Sequence, residues 1–309
     1  MLEVLLQMGG LILCGVGWRL AKPAGLEPAQ TRKVLTSLVY YLLLPALVLS
    51  VLWRAQLGAI TLLIALSAAL AVGAGLLVSA WWCRRCRVLP ATAGAMVLAA
   101  AFPNATYLGL PVLEAAFGPW ARGVAIQYDL FACTPLLFTL GVMIAARYGE
   151  AAVELRSSAA ELLRIPALWS AVAAALLNIA QVPMPSVAAG LLGLLERAVV
   201  PLMLLSLGLS LEWRRSQWRS QAGTVVPVLV LRLVLIPALI LVFTHFIGLS
   251  GEWRAAVVME SAMPSMVLGI VFCDRFKLDV GLYAMAVTLS TALSVLTLPL
   301  WFRLLMGWA

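Results

Sequence analysis

Ala101-Phe-Pro-Asn-Ala-Thr-Tyr-Leu-Gly-Leu-Pro111 sets two prolines and a glycine inside one apolar run, and Ala262-Met-Pro-Ser265, with Gly269 shortly after, does the same in a second. Proline removes a backbone donor and clashes with the preceding turn. Glycine adds backbone freedom. In lipid no water is available for the freed groups. Unwound backbone is tolerated there only where it is buried in protein or lines a cavity. Matched breaks in two halves of a membrane chain point to a ligand site.

The surrounding chain carries this reading. Of 309 residues, 64% are hydrophobic and only 11% charged. A soluble domain carries about 25% charged residues. So few charges cannot cover a water-facing surface, whereas lipid solvates apolar side chains. Ten apolar runs follow one another at 3–20, 34–53, 58–82, 90–113, 123–146, 165–182, 190–211, 223–247, 255–273 and 280–302. A span needs about 20 residues, so the expected fold is all-α with ten transmembrane helices. Glu3 beside the N-terminus argues against a cleaved signal peptide and for a retained first helix.

The net charge of +8 raises nucleic acid as a partner, but no Lys/Arg-rich tract with interleaved aromatics occurs. The cations follow the positive-inside rule instead. Arg54, Arg122, Arg254 and Arg303 fall on one side and Arg197 and Arg232 within runs; the other fifteen of the 21 lie in loops after the odd-numbered runs. That bias puts those loops in the cytoplasm and both termini outside. Cys14, Cys133 and Cys273 read as small core residues, and Cys83 and Cys86 as ordinary thiols at a helix end. No cofactor or metal centre is expected. His245 reads as a headgroup-level side chain, and Trp53, Trp120, Trp169, Trp253, Trp301 and Trp308 as an aromatic belt.

Two segment pairs repeat. Pro45-Ala-Leu-Val-Leu-Ser50 resembles Pro201-Leu-Met-Leu-Leu-Ser206, and Ala101-Phe-Pro-Asn104 resembles Ala262-Met-Pro-Ser265, at offsets of 156 and 161 residues. The chain then divides into a first five-helix repeat (1–146), a cytoplasmic connection (147–164) and a second repeat (165–309). Five is odd, so the second copy enters from the opposite side. Such inverted repeats build secondary transporters. Pro45, Pro201 and Pro237 read as simple kinks. The breaks in runs four and nine differ because polar residues accompany them: Asn104 and Thr106 beside Pro103, and Glu260, Ser261 and Ser265 around Pro264. Half-helix N-termini there would face an anion.

Asp129 lies in the fifth run, where an Asp at a helix centre costs about 2.5–3.5 kcal/mol to insert. It must face a polar interior, as must Glu260. Either carboxylate suits a proton or a sodium ion, or serves as a structural partner. Arg232, mid-way along the eighth run, would pair with a carboxylate or attract a substrate anion. An embedded enzyme lacks support, since H-E-x-x-H, G-x-S-x-G and clustered histidines are absent. A channel would call for pore-loop glycines or charge rings.

Several stretches resemble the auxin efflux carrier family. They are Gly17-Trp-Arg-Leu-Ala-Lys-Pro-Ala-Gly-Leu26, Thr31 through Ser50, and Asn104-Ala-Thr-Tyr-Leu-Gly-Leu-Pro111, similar to the family's N-x-x-x-x-G-x-P. Leu231-Arg-Leu-Val-Leu-Ile-Pro237, Ala262-Met-Pro264 and Ser290-Thr291 follow in the same order. The resemblance implies a fold related to bile-acid/sodium symporters. In it helices 1, 2, 6 and 7 form a scaffold, and helices 3–5 and 8–10 move as an elevator, often in a homodimer. It implies organic-anion substrates such as auxin, malate or malonate. Carried over by position, Pro103, Asn104 and Pro264 line the site, with Thr106, Gly109 and Ser265 beside them. The long central loop of many plant members is missing. Glu260 is similar to the sodium-binding carboxylate of the bile-acid symporter branch, so sodium-coupled symport stands as the alternative to proton coupling. The plasma membrane is the expected location.

Overall fold

The computed structural model describes residues 2–55, 58–149, 163–210 and 215–307. They form helices α1 (Leu2–Ala21), α2 (Pro28–Arg54), α3 (Ala59–Arg85), α4 (Pro90–Ala101), α5 (Ala105–Phe117), α6 (Pro119–Tyr148), α7 (Pro166–Ile179), α8 (Ser186–Ser210), α9 (Gly223–Phe246, extended back to Arg215), α10 (Gly251–Ser261), α11 (Gly269–Arg275) and α12 (Val280–Met306). Among the described residues no strand forms; one isolated bridge joins Pro103 and Ser265. Six helices, α2, α3, α6, α8, α9 and α12, have the length and apolarity to cross a membrane alone. The connection expected at 147–164 lies mostly outside the described residues.

Local chemistry sets the helix ends. Pro28, Pro90 and Pro166 open α2, α4 and α7, where a missing N–H has no intrahelical partner to lose. The Asp279 carboxylate accepts from the Leu282 N–H at 3.0 Å and caps α12. Arg87, Gln181, Gly248 and Lys277 take the left-handed conformation just past four C-termini. In each case the next N–H bonds back to the last full turn, as from Leu278 to Cys273 O at 2.8 Å.

Proline leaves a regular mark inside the helices. Widened π turns at Val39–Leu43, Ala105–Gly109, Asp129–Cys133 and Leu231–Leu235 each end two residues before a proline: Pro45, Pro111, Pro135 and Pro237. The wider turn makes room for a ring that would strike the carbonyl four residues back. Pro45 and Pro237, expected as simple kinks, are therefore accommodated by π turns. Pro201 sits within an uninterrupted α8.

The helices pack as two groups. In one, α1 crosses α8, α7 packs along α2, and α8 packs on α2. Gly15 and Gly208 bring the first pair into backbone contact; a Cβ on Gly208 would lie 2.0 Å from Ile12 O. In the other, α3, α4, α6, α9, α10 and α12 surround one another, with α5 and α11 attached. Its centre is α4, whose residues Ala93 to Ala101 are all buried. Small side chains let its neighbours approach from every side. Outward faces carry side chains such as Leu20 and Leu77, as lipid-facing helices do. Cys14 belongs to such a face: it is exposed, not in the core as expected. Apolarity alone does not separate a lipid-facing position from a core one.

Candidate functional site

The two proline breaks meet. Phe102 is extended (φ −100°, ψ 115°), the conformation a following proline imposes. It ends α4 and frees nearby backbone groups. The second break covers 262–268, between α10 and α11. The segments run antiparallel and bond to each other: Asn104 N–H donates to Pro264 O at 2.7 Å, and Met266 N–H donates to Phe102 O at 3.0 Å. Each break thus supplies partners that the other lost, which is how irregular backbone survives away from water.

Hydroxyls pin the second break. Ser265 Oγ donates to Ala99 O at 2.7 Å, and Ser290 Oγ accepts from Ser265 N–H at 3.1 Å. Tyr283, buried on α12, donates to Met266 O at 2.9 Å. The first break is less restrained. Asn104 O accepts the N–H groups of Leu108 and Gly109 and starts α5. Its side-chain Nδ2 is buried and has no hydrogen-bond partner. The site therefore brings Pro103, Asn104, Pro264 and Ser265 together.

The buried charges flank this crossing. Thr106, one residue into α5, donates to Asp129, and Thr134 donates to the other Asp129 oxygen at 3.0 Å. Glu260, in the last turn of α10, is fully buried, and neither of its carboxyl oxygens has a partner. It lies against Gly109, where a Cβ would approach Oε1 to 2.2 Å. Gly109 is small because the carboxyl group needs that space. Arg232 is fully buried on α9. It pairs with neither carboxylate. Its guanidinium donates to Ala100 O at 3.3 Å and Ala101 O at 3.2 Å through one nitrogen, and to Ser261 O through the other.

Two cavities open between the helix groups, at opposite ends of α2. One, of about 320 Å³, is lined by Arg32, Lys33 and Thr36 on α2, Ser206 on α8, and Tyr107 and Val267 from the crossing segments. The other, of about 770 Å³, is lined by Ser50 and Arg54 on α2, Glu196 on α8, Arg122 and Gln127 on α6, and Trp253 on α10. Thr36 and Ser50 are separated by about 21 Å of helix. Asn104 itself lines neither cavity and is 3% exposed. Tyr107, Thr134 and Tyr283 were not singled out from the sequence. Thr134 is five residues beyond Asp129, a spacing that does not share a face in a regular α-helix; the widened π turn at Asp129–Cys133 brings the two together, so the spacing carried no signal for it. Tyr283 offered none either, because its partner is a backbone carbonyl.

An apolar helical chain with two crossing breaks is the construction of a membrane transporter. The chain belongs to the family described as membrane transport protein, whose model matches residues 10–302; this is the auxin efflux carrier family of the resemblance. It is 30% identical over 302 residues to an uncharacterized transporter of Methanothermobacter thermautotrophicus, covering 97% of this chain and 96% of the relative. A second uncharacterized transporter, from Methanocaldococcus jannaschii, is 27% identical over 218 residues, 70% of this chain and 68% of the relative. The protein is a multi-pass membrane transporter.

Proposed function

We propose that the protein is a secondary active carrier of a small carboxylate, of the size of malate, malonate or an auxin-like acid, working by an elevator motion. The observation that carries this reading is the unpartnered, buried Asn104 amide at a crossing of broken helices, flanked by cavities at opposite ends of α2. An amide N–H is a donor that a carboxylate oxygen satisfies. A ligand reaching the crossing from either cavity would meet it.

In this reading α1, α2, α7 and α8 stand still, and the crossing-bearing group moves past them. The chain is a ten-span inverted repeat, with both termini outside the plasma membrane, and it works as a homodimer. Arg32 and Lys33 give the smaller cavity the positive charge that draws an anion to the cytoplasmic entrance. The Trp120–Trp253 ring pair, centroids 4.6 Å apart, stands beside the larger cavity.

Coupling to protons through Asp129 or Glu260 is the first reading. Asp129 is held by two hydroxyl donors, Thr106 at the start of α5 and Thr134 on its own helix α6, so its protonation would loosen the Thr106 link between α5 and α6. Sodium coupling is the second, favoured by the two unpartnered Glu260 oxygens, which suit a hard cation. The experiment is counterflow of radiolabelled carboxylates in proteoliposomes, under imposed proton and sodium gradients. Saturable exchange of one such acid is expected, faster with an opposing proton gradient and indifferent to sodium. Asp129→Asn should flatten the pH profile; a profile that persists assigns the proton to Glu260. No exchange of any small carboxylate would overturn the carrier reading.

A further inference from the structure

Arg232 is the one feature of the crossing that the transport reading above leaves unused. Its two terminal nitrogens divide their bonds between two helices. One donates to Ala100 O and Ala101 O at the end of α4; the other donates to Ser261 O at the end of α10. Both helices stop at the crossing, so their last carbonyls lack intrahelical N–H partners. A helix C-terminus carries about half a negative charge. Two such ends converging in a buried interior amount to about one unit, and a guanidinium carries one unit of the opposite sign. Among the described residues Arg232 forms no direct ion pair with Asp129 or Glu260, so the carbonyls are its hydrogen-bond partners.

A ring of backbone carbonyls at converging helix ends is also what a dehydrated monovalent metal ion needs. Guanidinium and metal ion cannot share the carbonyls. We infer that Arg232 is a tethered cation, permanently occupying the place between the α4 and α10 ends that a mobile metal cation would otherwise fill, and that the crossing therefore assembles without sodium. Arg232 is a positioning residue in this account. It fixes the ends from which Asn104 and Glu260 are held and touches no substrate. Its bearing on transport rests on the carrier reading; its bearing on the crossing does not.

The test uses purified full-length protein in detergent, with no carboxylate present, and reads the unfolding temperature in sodium, potassium and choline chlorides at equal ionic strength. Wild type should unfold at the same temperature in all three. Arg232→Ala should lose about 5 °C or more, because three buried carbonyls lose their donor. Millimolar guanidinium chloride, a soluble copy of the missing group, should recover at least half of that loss, and sodium less. Arg232→Lys, which keeps the charge but not the two-ended fork, should fall between wild type and Arg232→Ala.

A wild type stabilised by sodium over choline, to an extent that Glu260→Gln does not reduce, would overturn the inference. An undiminished Arg232→Ala would do so too. A loss that guanidinium leaves unrepaired would reduce Arg232 to ordinary packing, which also overturns it. Should Arg232→Ala not be recovered folded, Arg232→Gln takes its place under the same salts, and the wild-type comparison decides independently. Because no substrate enters the assay, its failure is distinct from a failure of carboxylate exchange.

Discussion

The two breaks begin from similar sequence, Ala-Phe-Pro-Asn and Ala-Met-Pro-Ser, yet they are built differently. The second is tied down by side chains from three directions: Ser265 to Ala99, Ser290 to Ser265, and Tyr283 to Met266. The first resumes helix after one turn and leaves the Asn104 amide without a partner. One break is a fixed anchor, and the other presents an unsatisfied donor. The two breaks are frames of similar sequence, and the polar residue after each proline decides which one keeps an unused donor. The Ser265 hydroxyl reaches the Ala99 carbonyl across on α4, whereas the longer asparagine amide keeps a donor nitrogen to spare.

Substitutions on the anchored side should damage the fold before they damage recognition. The largest effect is expected at Gly269, where a Cβ would lie 1.9 Å from the Tyr283 hydroxyl. Gly269→Ala must displace a buried ring and the bond it makes to Met266, costing about 2–3 kcal/mol. A fall in unfolding temperature of about 5 °C or more is expected in a detergent melt. Intact stability would mean that the second break is not an anchor. Ser265→Ala removes one hydroxyl bond and leaves Ala99 O without that donor, a loss of about 1 kcal/mol. It should lower the melt by about 3 °C with carboxylate exchange retained.

The smallest effect is expected away from both breaks. Arg122 joins Glu114 on α5, and it meets Glu196 on α8 at 3.2 Å across the two helix groups. The pair is partly solvated, so Glu196→Gln should be worth about 0.5 kcal/mol. That energy corresponds to about a twofold change in exchange rate, measured in counterflow. A change of tenfold or more would move the control of motion from the breaks to this contact.

Much of this was legible in the residues. Pro103, Pro264, Gly109 and Gly269 announce interruptions because proline and glycine act locally, whatever the tertiary context. The shared ordinal place of the two breaks pointed to a common role, but not to the backbone bonds that join them. Asp129 and Glu260 stood out because an apolar run makes any carboxylate conspicuous. Arg232 stood out equally, but its role did not. Its acceptors are backbone carbonyls, which every residue has and no sequence displays. The π turns before Pro45, Pro111, Pro135 and Pro237 were hidden for a related reason, since a widened turn is a backbone response with no side-chain signature. Cys14 was misplaced because lipid and protein core select the same side chains.

The most direct measurement compares Asn104→Ala with Ser265→Ala in one proteoliposome counterflow assay, on an acid that wild type exchanges, with both variants first shown to be folded by their melts. Removing a donor to a charged oxygen forfeits about 1.5–3 kcal/mol, so Asn104→Ala should lower exchange by at least about tenfold. Ser265→Ala should stay within about threefold of wild type, since its loss of about 1 kcal/mol falls on the anchor and not on the ligand. Undiminished exchange by Asn104→Ala, or equal losses in the two variants, would contradict the division of labour between the breaks.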